Sequence, residues 1–429
     1  MEIYVVQQGD NIYSISDKYG VTVEKIIQDN DLQYPYNLIN GQAIVITFPK
    51  QSYIVQNGDT LQSIADSYNV SLMQLLRNNP SLSDREYLYQ GESLIISYNT
   101  TRSITTNGFA YPFLRKETLI KTLPNLTYLS VFNYTTTEKG EMIAYYDESD
   151  LIKTLIDYEV IPLLVLTTLS PQGKPDIETA YNILLNAEYQ ENTINEFINI
   201  MKNKGYHGIN LILYFLNENN QTLYINFVQR ISSRLQQENY LFFITINYDE
   251  KKEDDTIIIK EVNYSDLSNF VDQLIFLKFV WGTNYNPPAP ISNITYLTAL
   301  INYVTSKVSP DKIIVGKLIL GYDWRLPYIP KESYANSLTI NSVLDLAYDV
   351  GAVIDFDDES QTPYFYYNEL GFAYQVQHIV WFIDARSIET LNKLIEDYAL
   401  NGSGVWNIMV YNQQLWTIIN ANFDIIKLI

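Results

Sequence analysis

With no cysteine and only two histidines, His207 and His378, among 429 residues, thiolate and disulfide chemistry is closed to this chain and imidazole chemistry nearly so. Proton transfer therefore falls to its carboxylates. The acids that follow apolar, strand-like runs matter most, because a parallel α/β protein presents reactive groups where its strands end. Glu218 follows the run 208–215, Asp249 and Glu250 follow 241–246, and Asp323 follows 312–319. Each also reads as a solvated loop charge or a ligand contact. The run ahead of Glu218, G-Y-H-G-I-N-L-I-L-Y-F from Gly205 to Phe215, holds no acid at all. Bounded by glycine and by Asn217, Asn219 and Asn220, it reads as a fully buried parallel strand. The acidic group Asp355, Asp357, Asp358, Glu359 lacks the D-x-D-x-D-G spacing of a calcium loop and reads as a solvated turn. His207, in a loop ahead of the strand, reads as a surface histidine. No metal and no cofactor are expected.

Bulk properties narrow the partners. A formal charge of -21 opposes the counterion release that drives binding to nucleic acid, and it opposes attraction to an anionic bilayer. Neutral glycans or other protein surfaces fit better. Hydrophobic content of 47% and aromatic content of 14% supply ample core for a globular chain of two or three domains. The 37 tyrosines, beside many Asn and Ile, read as codon usage before any special role. Met1 leads straight into a strand-like segment without the basic and apolar regions of a signal peptide, and no apolar run reaches membrane-spanning length. Synthesis in the cytoplasm, with no membrane insertion, is the expectation.

The elements that position these groups begin with a repeat. Y-V-V-Q-Q-G-D-N-I-Y-S-I-S-D-K-Y-G-V from Tyr4 returns as Y-I-V-Q-N-G-D-T-L-Q-S-I-A-D-S-Y-N-V from Tyr53, a period of about 49 residues. Each copy reads strand, helix, helix, strand. Asp10 and Asp59 are placed to cap the first helices, whose apolar faces are Ile12, Ile15, Tyr19 and Leu61, Ile64, Tyr68. The second helices span 23–28 and 72–76, and Gly41 and Gly91 turn the chain into closing strands at 44–47 and 94–97.

With its Y-x-V strand, G-D-T-L turn and closing apolar strand, each unit resembles a LysM domain, the first over 1–49 and the second over 50–98. The resemblance implies a shallow groove for N-acetylglucosamine units of peptidoglycan or chitin. In the first copy that groove is expected from Gly9, Asp10, Asn11 and Ile12 facing Asn30, Asp31 and Leu32. In the second it is expected from Gly58, Asp59, Thr60 and Leu61 facing Asn79, Pro80 and Ser81. The same acids read as helix caps and the same apolar residues as core, and a capped turn can serve as both.

A polar, Thr-rich stretch at 99–107 reads as a linker. Beyond it, apolar strands alternate with helical segments at 108–113, 128–133, 161–167, 208–215, 241–246, 273–279, 312–319 and 404–410, and eight such strands close a (β/α)8 barrel. An interruption over 321–381, with alternating aromatics Tyr364, Phe365, Tyr366, Tyr367, Phe372 and Tyr374, reads as an inserted α+β subdomain. The stretches G-F-A-Y-P-F at Gly108, L-P-N-L-T-Y-L-S at Leu123, G-Y-H-G-I-N at Gly205, L-G-Y-D-W-R-L-P-Y at Leu320 and W-F-I-D-A-R-S at Trp381 resemble family-18 glycoside hydrolases. Among them the likeness is to spore cortex-lytic N-acetylglucosaminidases that carry two LysM units.

In that family the substrate's acetamido group attacks the anomeric carbon while a glutamic acid protonates the leaving oxygen and an aspartate steadies the oxazolinium. The resemblance lays its D-G-x-D-x-D-x-E motif on residues 207–214, with Ile212 at the aspartate and Tyr214 at the acid. A phenol near pKa 10 is about six units weaker than a carboxylic acid. Phe279 stands where a tyrosine would hold the acetamido oxygen, and the tryptophan at the end of the eighth strand reads as replaced near Ile408, two positions after Trp406. Trp281, Tyr322, Asp323 and Trp324 remain as candidate sugar contacts. From these substitutions the chain is expected to be no enzyme. It reads as a glycan-binding or structural protein of the spore coat or cortex region. Alternatives are an N-acetylglucosaminidase with a relocated acid, and a self-assembling coat protein with homotypic or spore-layer partners.

Overall fold

The computed structural model describes residues 1–429 except 84, 86, 171–172, 249–250, 254–255, 260, 279–282 and 371–374. Phe279, Trp281, Asp249, Glu250, Phe372 and Tyr374 therefore lie outside the described residues.

Each N-terminal unit is a two-stranded antiparallel ribbon carrying two helices. The first runs β1 (Glu2–Val5), α1 (Ile12–Tyr19), α2 (Val23–Asn30) and β2 (Ala43–Ile46), and the second runs β3 (Gln51–Ile54), α3 (Leu61–Tyr68), α4 (Leu72–Asn78) and β4 (Ser93–Ser97). Ile12, Ile15 and Ile26 close on Ile44 and Ile46 in one core, and Ile64 and Leu75 close on Leu94 and Ile96 in the other. The helix starts differ from expectation by one residue. Asn11 and Thr60, not Asp10 and Asp59, are the N-caps, each in a capping box with Ser14 or Ser63. The two aspartates instead close the preceding turn. Asp10 accepts the Tyr4 hydroxyl and the Gln7 amide, both at 2.7 Å, and Asp59 accepts those of Tyr53 and Gln56 at 2.8 and 2.7 Å. The hydrogen bond to Asp10 pushes the Tyr4 hydroxyl up to about 12.

Eight parallel strands then close a barrel: β5 (Arg102–Ala110), β6 (Tyr128–Val131), β7 (Ile161–Leu166), β8 (Gly208–Leu213), β9 (Leu241–Ile246), β10 (Gln273–Phe276), β11 (Ile313–Leu318) and β12 (Gly402–Trp406). Each pairs with the next, and β12 returns to pair with β5 at Gly404↔Asn107. The stretch expected as a linker is mostly strand, since β5 begins at Arg102. Its Thr and Asn side chains are buried because they bond inside the fold, as Thr106 Oγ1 does to Asn125 O at 2.6 Å. The expected insertion follows β11: strands Gly321–Arg325, Ala335–Leu338, Asp355–Asp357, Thr362–Leu370 and Gln375–Phe382 join Thr283–Asn284 in a six-stranded sheet, with helix Ile340–Asp349 beside it.

Two late helices, α5 (Ala385–Asp397) and α6 (Gln413–Asn422), tie the first repeat to the barrel. Gln414 Nε2 donates to Asn30 Oδ1 and to Ala43 O, each at 2.9 Å, and Arg386 Nη2 donates to Gly41 O at 3.2 Å. At Gly41, φ is +87° and an added Cβ would fall 1.9 Å from Ile354 O, so only glycine lets this turn reach the insertion.

Candidate functional site at the barrel mouth and the LysM grooves

Strand alternation decides which β8 side chains enter the barrel. Asn210 does: its Nδ2 donates to Ser130 Oγ at 2.9 Å, its Oδ1 accepts Thr245 Oγ1 at 2.7 Å, and Ser130 Oγ donates onward to Asn107 Oδ1 at 2.9 Å. This chain of fully buried polar groups crosses β9, β8, β6 and β5. Inward parity then continues to Ile212, which is buried, and Tyr214, which is half-buried just past the strand end. An isoleucine and a phenol thus occupy the inward positions that precede the mouth on this strand.

Aromatic rings line the wall where β12, β5 and β6 end. Trp406, at the end of β12 and 2% exposed, meets Phe109 and Phe132 with ring centroids 5.7 and 5.2 Å away. Phe132 meets Tyr111 at 5.6 Å, Tyr111 stacks on Phe113 at 5.3 Å, and Phe113 meets Tyr146 at 5.2 Å. The series ends in solvent, with Phe113 55% and Tyr146 50% exposed. Trp406 is itself the strand-end tryptophan, so the expected loss near Ile408 is corrected. Ile408 lies buried beyond it, its amide bonded to Phe109 O at 3.0 Å.

Carboxylates near the strand ends are differently occupied. Glu148 is 1% exposed and accepts from Asn133 Nδ2 at 2.6 Å and from the Tyr134 hydroxyl, which leaves it structural. Asp323 accepts the Tyr367 hydroxyl at 2.7 Å and faces His378 Nδ1 at 2.9 Å. Glu218, in the loop after β8, is exposed and its Oε1 accepts the Glu261 amide at 3.0 Å. Tyr322 and Trp324, named as sugar contacts, are each 1% exposed. They are core of the insertion, with Trp324 Nε1 bonded to Asn286 O at 3.0 Å. His207 is exposed.

The LysM residues divide in the same way. Ile12 is core, and Asn30 and Asn79 act as internal clamps. Asn30 joins α2 to β2 through Ile26 O and the Val45 backbone, and Asn79 joins α4 to β4 through Leu75 O and the Ile95 backbone. Gly9, Asp10 and Asn11, and likewise Gly58, Asp59 and Thr60, stay on the rim. In the second unit the wall facing Asp59, Thr60 and Leu61 is made by Leu72, Leu76, Tyr87 and Leu88, not by Asn79, Pro80 and Ser81. The latter three open instead, with Asp31 and Leu32, into a separate cleft between the units. Sequence reasoning missed Tyr87 and Leu88 because they fall outside any periodic run, although an exposed tyrosine beside a turn was a usable signal.

Residues 167–409 match the model of glycosyl hydrolases family 18, and residues 4–47 and 53–97 each match the LysM domain model. The chain belongs to glycosyl hydrolase family 18, with two LysM domains ahead of the barrel. It is 28% identical to the cortical fragment-lytic enzyme of Bacillus anthracis over 100% of this chain and 99% of that protein. The crystal structure of the Bacillus cereus spore cortex-lytic enzyme SleL superposes with a TM-score of 0.77 at 28% identity, covering 99% of both chains. That of Bacillus megaterium SleL gives 0.78 at 28%, covering 100% of this chain and 99% of that one. These findings overturn the expectation of a protein that is no enzyme. Relatives matching from the first LysM unit to the last helix are named as lytic enzymes, so Ile212 and Tyr214 do not by themselves establish inactivity.

Proposed function

We propose that this chain is a glycosidase of spore cortex peptidoglycan, held to N-acetylglucosamine-containing strands by its LysM units and acting at the C-terminal face of its barrel. The observation that carries this reading is the full-length match to cortex-lytic relatives, LysM units included. The exposed end of the aromatic series, Phe113 and Tyr146, supports it, since exposed rings suit the apolar faces of pyranoses while the buried Trp406, Phe109 and Phe132 pack behind them.

The acetamido group of the substrate supplies the nucleophile in this family, so the protein must chiefly provide a proton donor and a shaped cleft. Ile212 and Tyr214 carry no carboxyl, and the donor is therefore a relocated acid. Glu218, after β8, and Asp249 and Glu250, after β9, follow the motif-bearing strand and its neighbour. Asp323 is the weaker candidate because both its oxygens are engaged. An effective donor must come within about 2.6–3.2 Å of the leaving oxygen in the bound state.

Incubation of the purified full chain with cortex peptidoglycan fragments tests this reading. It predicts reducing ends released in proportion to enzyme and time. Fragments that bind yet stay intact over days would remove the glycosidase reading while leaving glycan attachment standing.

A further inference from the structure

A second cleft lies away from the barrel mouth, where the two LysM units meet α6. Asp31 and Leu32 line it from the first unit, Arg77, Pro80 and Ser81 from the second, and Asn420 from α6. The ends of the two LysM units thus share one space.

Arg77 sets the chemistry of that space. It is 5% exposed, and its guanidinium donates no hydrogen bond to any described residue. Among the described residues its one ion-pair partner is Asp424 at 3.7 Å, too long for a hydrogen bond. Asp424 is itself 47% exposed and accepts from Thr100 Oγ1 at 2.9 Å. Burial pulls the guanidinium down to about 10, so it is still charged at neutral pH. A buried cation with five N–H donors is costly unless those donors are met. The other cations of the cleft are committed: Lys25 pairs with Asp29, and Lys121 sits 4.5 Å over the Tyr411 ring. Asn420 Nδ2 donates to the Arg77 carbonyl at 3.2 Å and to Asn125 Oδ1 at 2.8 Å, which fixes the end of α4 against α6. A planar fork of N–H donors with no hydrogen-bonded partner among the described residues matches a carboxylate.

We propose that this cleft binds a carboxylate-bearing, N-acetylated peptidoglycan fragment, with Arg77 holding the carboxylate, so that the paired LysM units select acidic peptidoglycan over neutral chitin-type glycan. This rests on the peptidoglycan reading above and specifies its ligand. A neutral oligosaccharide offers a guanidinium only hydroxyl and carbonyl acceptors, about half as strong as a carboxylate. A peptide-substituted muramic acid offers the carboxylate that Arg77 lacks.

Calorimetry on the full chain tests it with two probes, a chitotetraose and a disaccharide-peptide muropeptide, each titrated into wild type, R77M and R77K. Wild type should bind the muropeptide at least tenfold more tightly than the chitotetraose. R77M should lose that preference while keeping its affinity for chitotetraose, and R77K should retain only part of it. Should either variant fail to fold, amidation of the muropeptide carboxylates, tested on wild type, must abolish the same tenfold. Equal affinity of wild type for both probes, or a muropeptide preference that survives amidation or R77M, overturns the cleft proposal alone. Binding of neither probe rejects the glycan reading and the cleft with it.

Discussion

Asn210 on β8 accepts the Thr245 hydroxyl of β9 inside the barrel at 2.7 Å. That one contact fixes which side chains of β8 face the mouth, because a shift of one residue would turn every side chain to the opposite face. Asn210→Leu keeps the volume but leaves Thr245 and Ser130 short of partners. Each buried group left unsatisfied costs about 1–3 kcal/mol, which should appear as a lowered midpoint in urea at unchanged slope. A variant as stable as wild type would show that the polar chain is not holding the register.

Phe113 and Tyr146 form the exposed end of the aromatic series. Because Phe113 is 55% exposed, Phe113→Ala should leave thermal stability nearly unchanged while raising KM for cortex fragments about tenfold, equivalent to about 1.4 kcal/mol. An effect on kcat with KM unaltered would place Phe113 in transition-state stabilisation instead.

Glu218, Asp249, Glu250 and Asp323 are the candidate donors. Replaced singly by the isosteric amide, one of them should lower kcat by about 10²–10⁴ and abolish the acidic-side dependence of the pH profile. The other three should act only on KM or not at all. Four variants with wild-type kcat would exclude all four acids as the donor.

Lys317 is fully buried, with its Nζ bonded to Ser403 Oγ at 2.7 Å, and burial pulls its amino group down to about 7. In the unfolded chain the same group titrates near 10.4. Between these values the unfolded state binds the extra proton, so stability rises with pH through this window and the gain is complete above it. The slope is up to about 1.4 kcal/mol per pH unit. Lys317→Met should flatten the curve between about pH 7 and 10, as urea unfolding at stepped pH would read. Parallel curves for wild type and variant would mean that Lys317 stays charged when folded.

Much of this was legible in the chain itself. The repeat starting at Tyr4 and Tyr53 gave both LysM units, and apolar runs at spacings suited to βα alternation located all eight barrel strands and the insertion. Strand β5 was placed six residues late because Thr105, Thr106 and Asn107 read as polar. Their partners, such as Asn125 and Ser130, come from a different segment and carry no local signal. Asp10 and Asp59 were assigned as caps because an acid ahead of a helix usually is one. Here Asn11 and Thr60 stand one residue closer, and tyrosines on β1 and β3 claim the carboxylates. Trp406 stands two positions before the expected site near Ile408 because the eighth strand, read as 404–410, ends at Trp406. Tyr322 and Trp324 illustrate the general difficulty: aromatic residues at a strand end read alike whether they stack on a sugar or fill a core. Arg77 gave no signal because its isolation is a property of packing between domains, not of sequence.

The most direct measurement follows the anomeric protons of cortex peptidoglycan fragments by NMR while the purified chain acts on them. Attack by the acetamido group followed by water inverts the anomeric carbon twice, so the account predicts new reducing ends that first appear in the configuration of the original linkage and only later equilibrate. A spectrum that stays unchanged at high enzyme concentration from pH 4 to 8, with the chain folded and bound to the fragments, would contradict it.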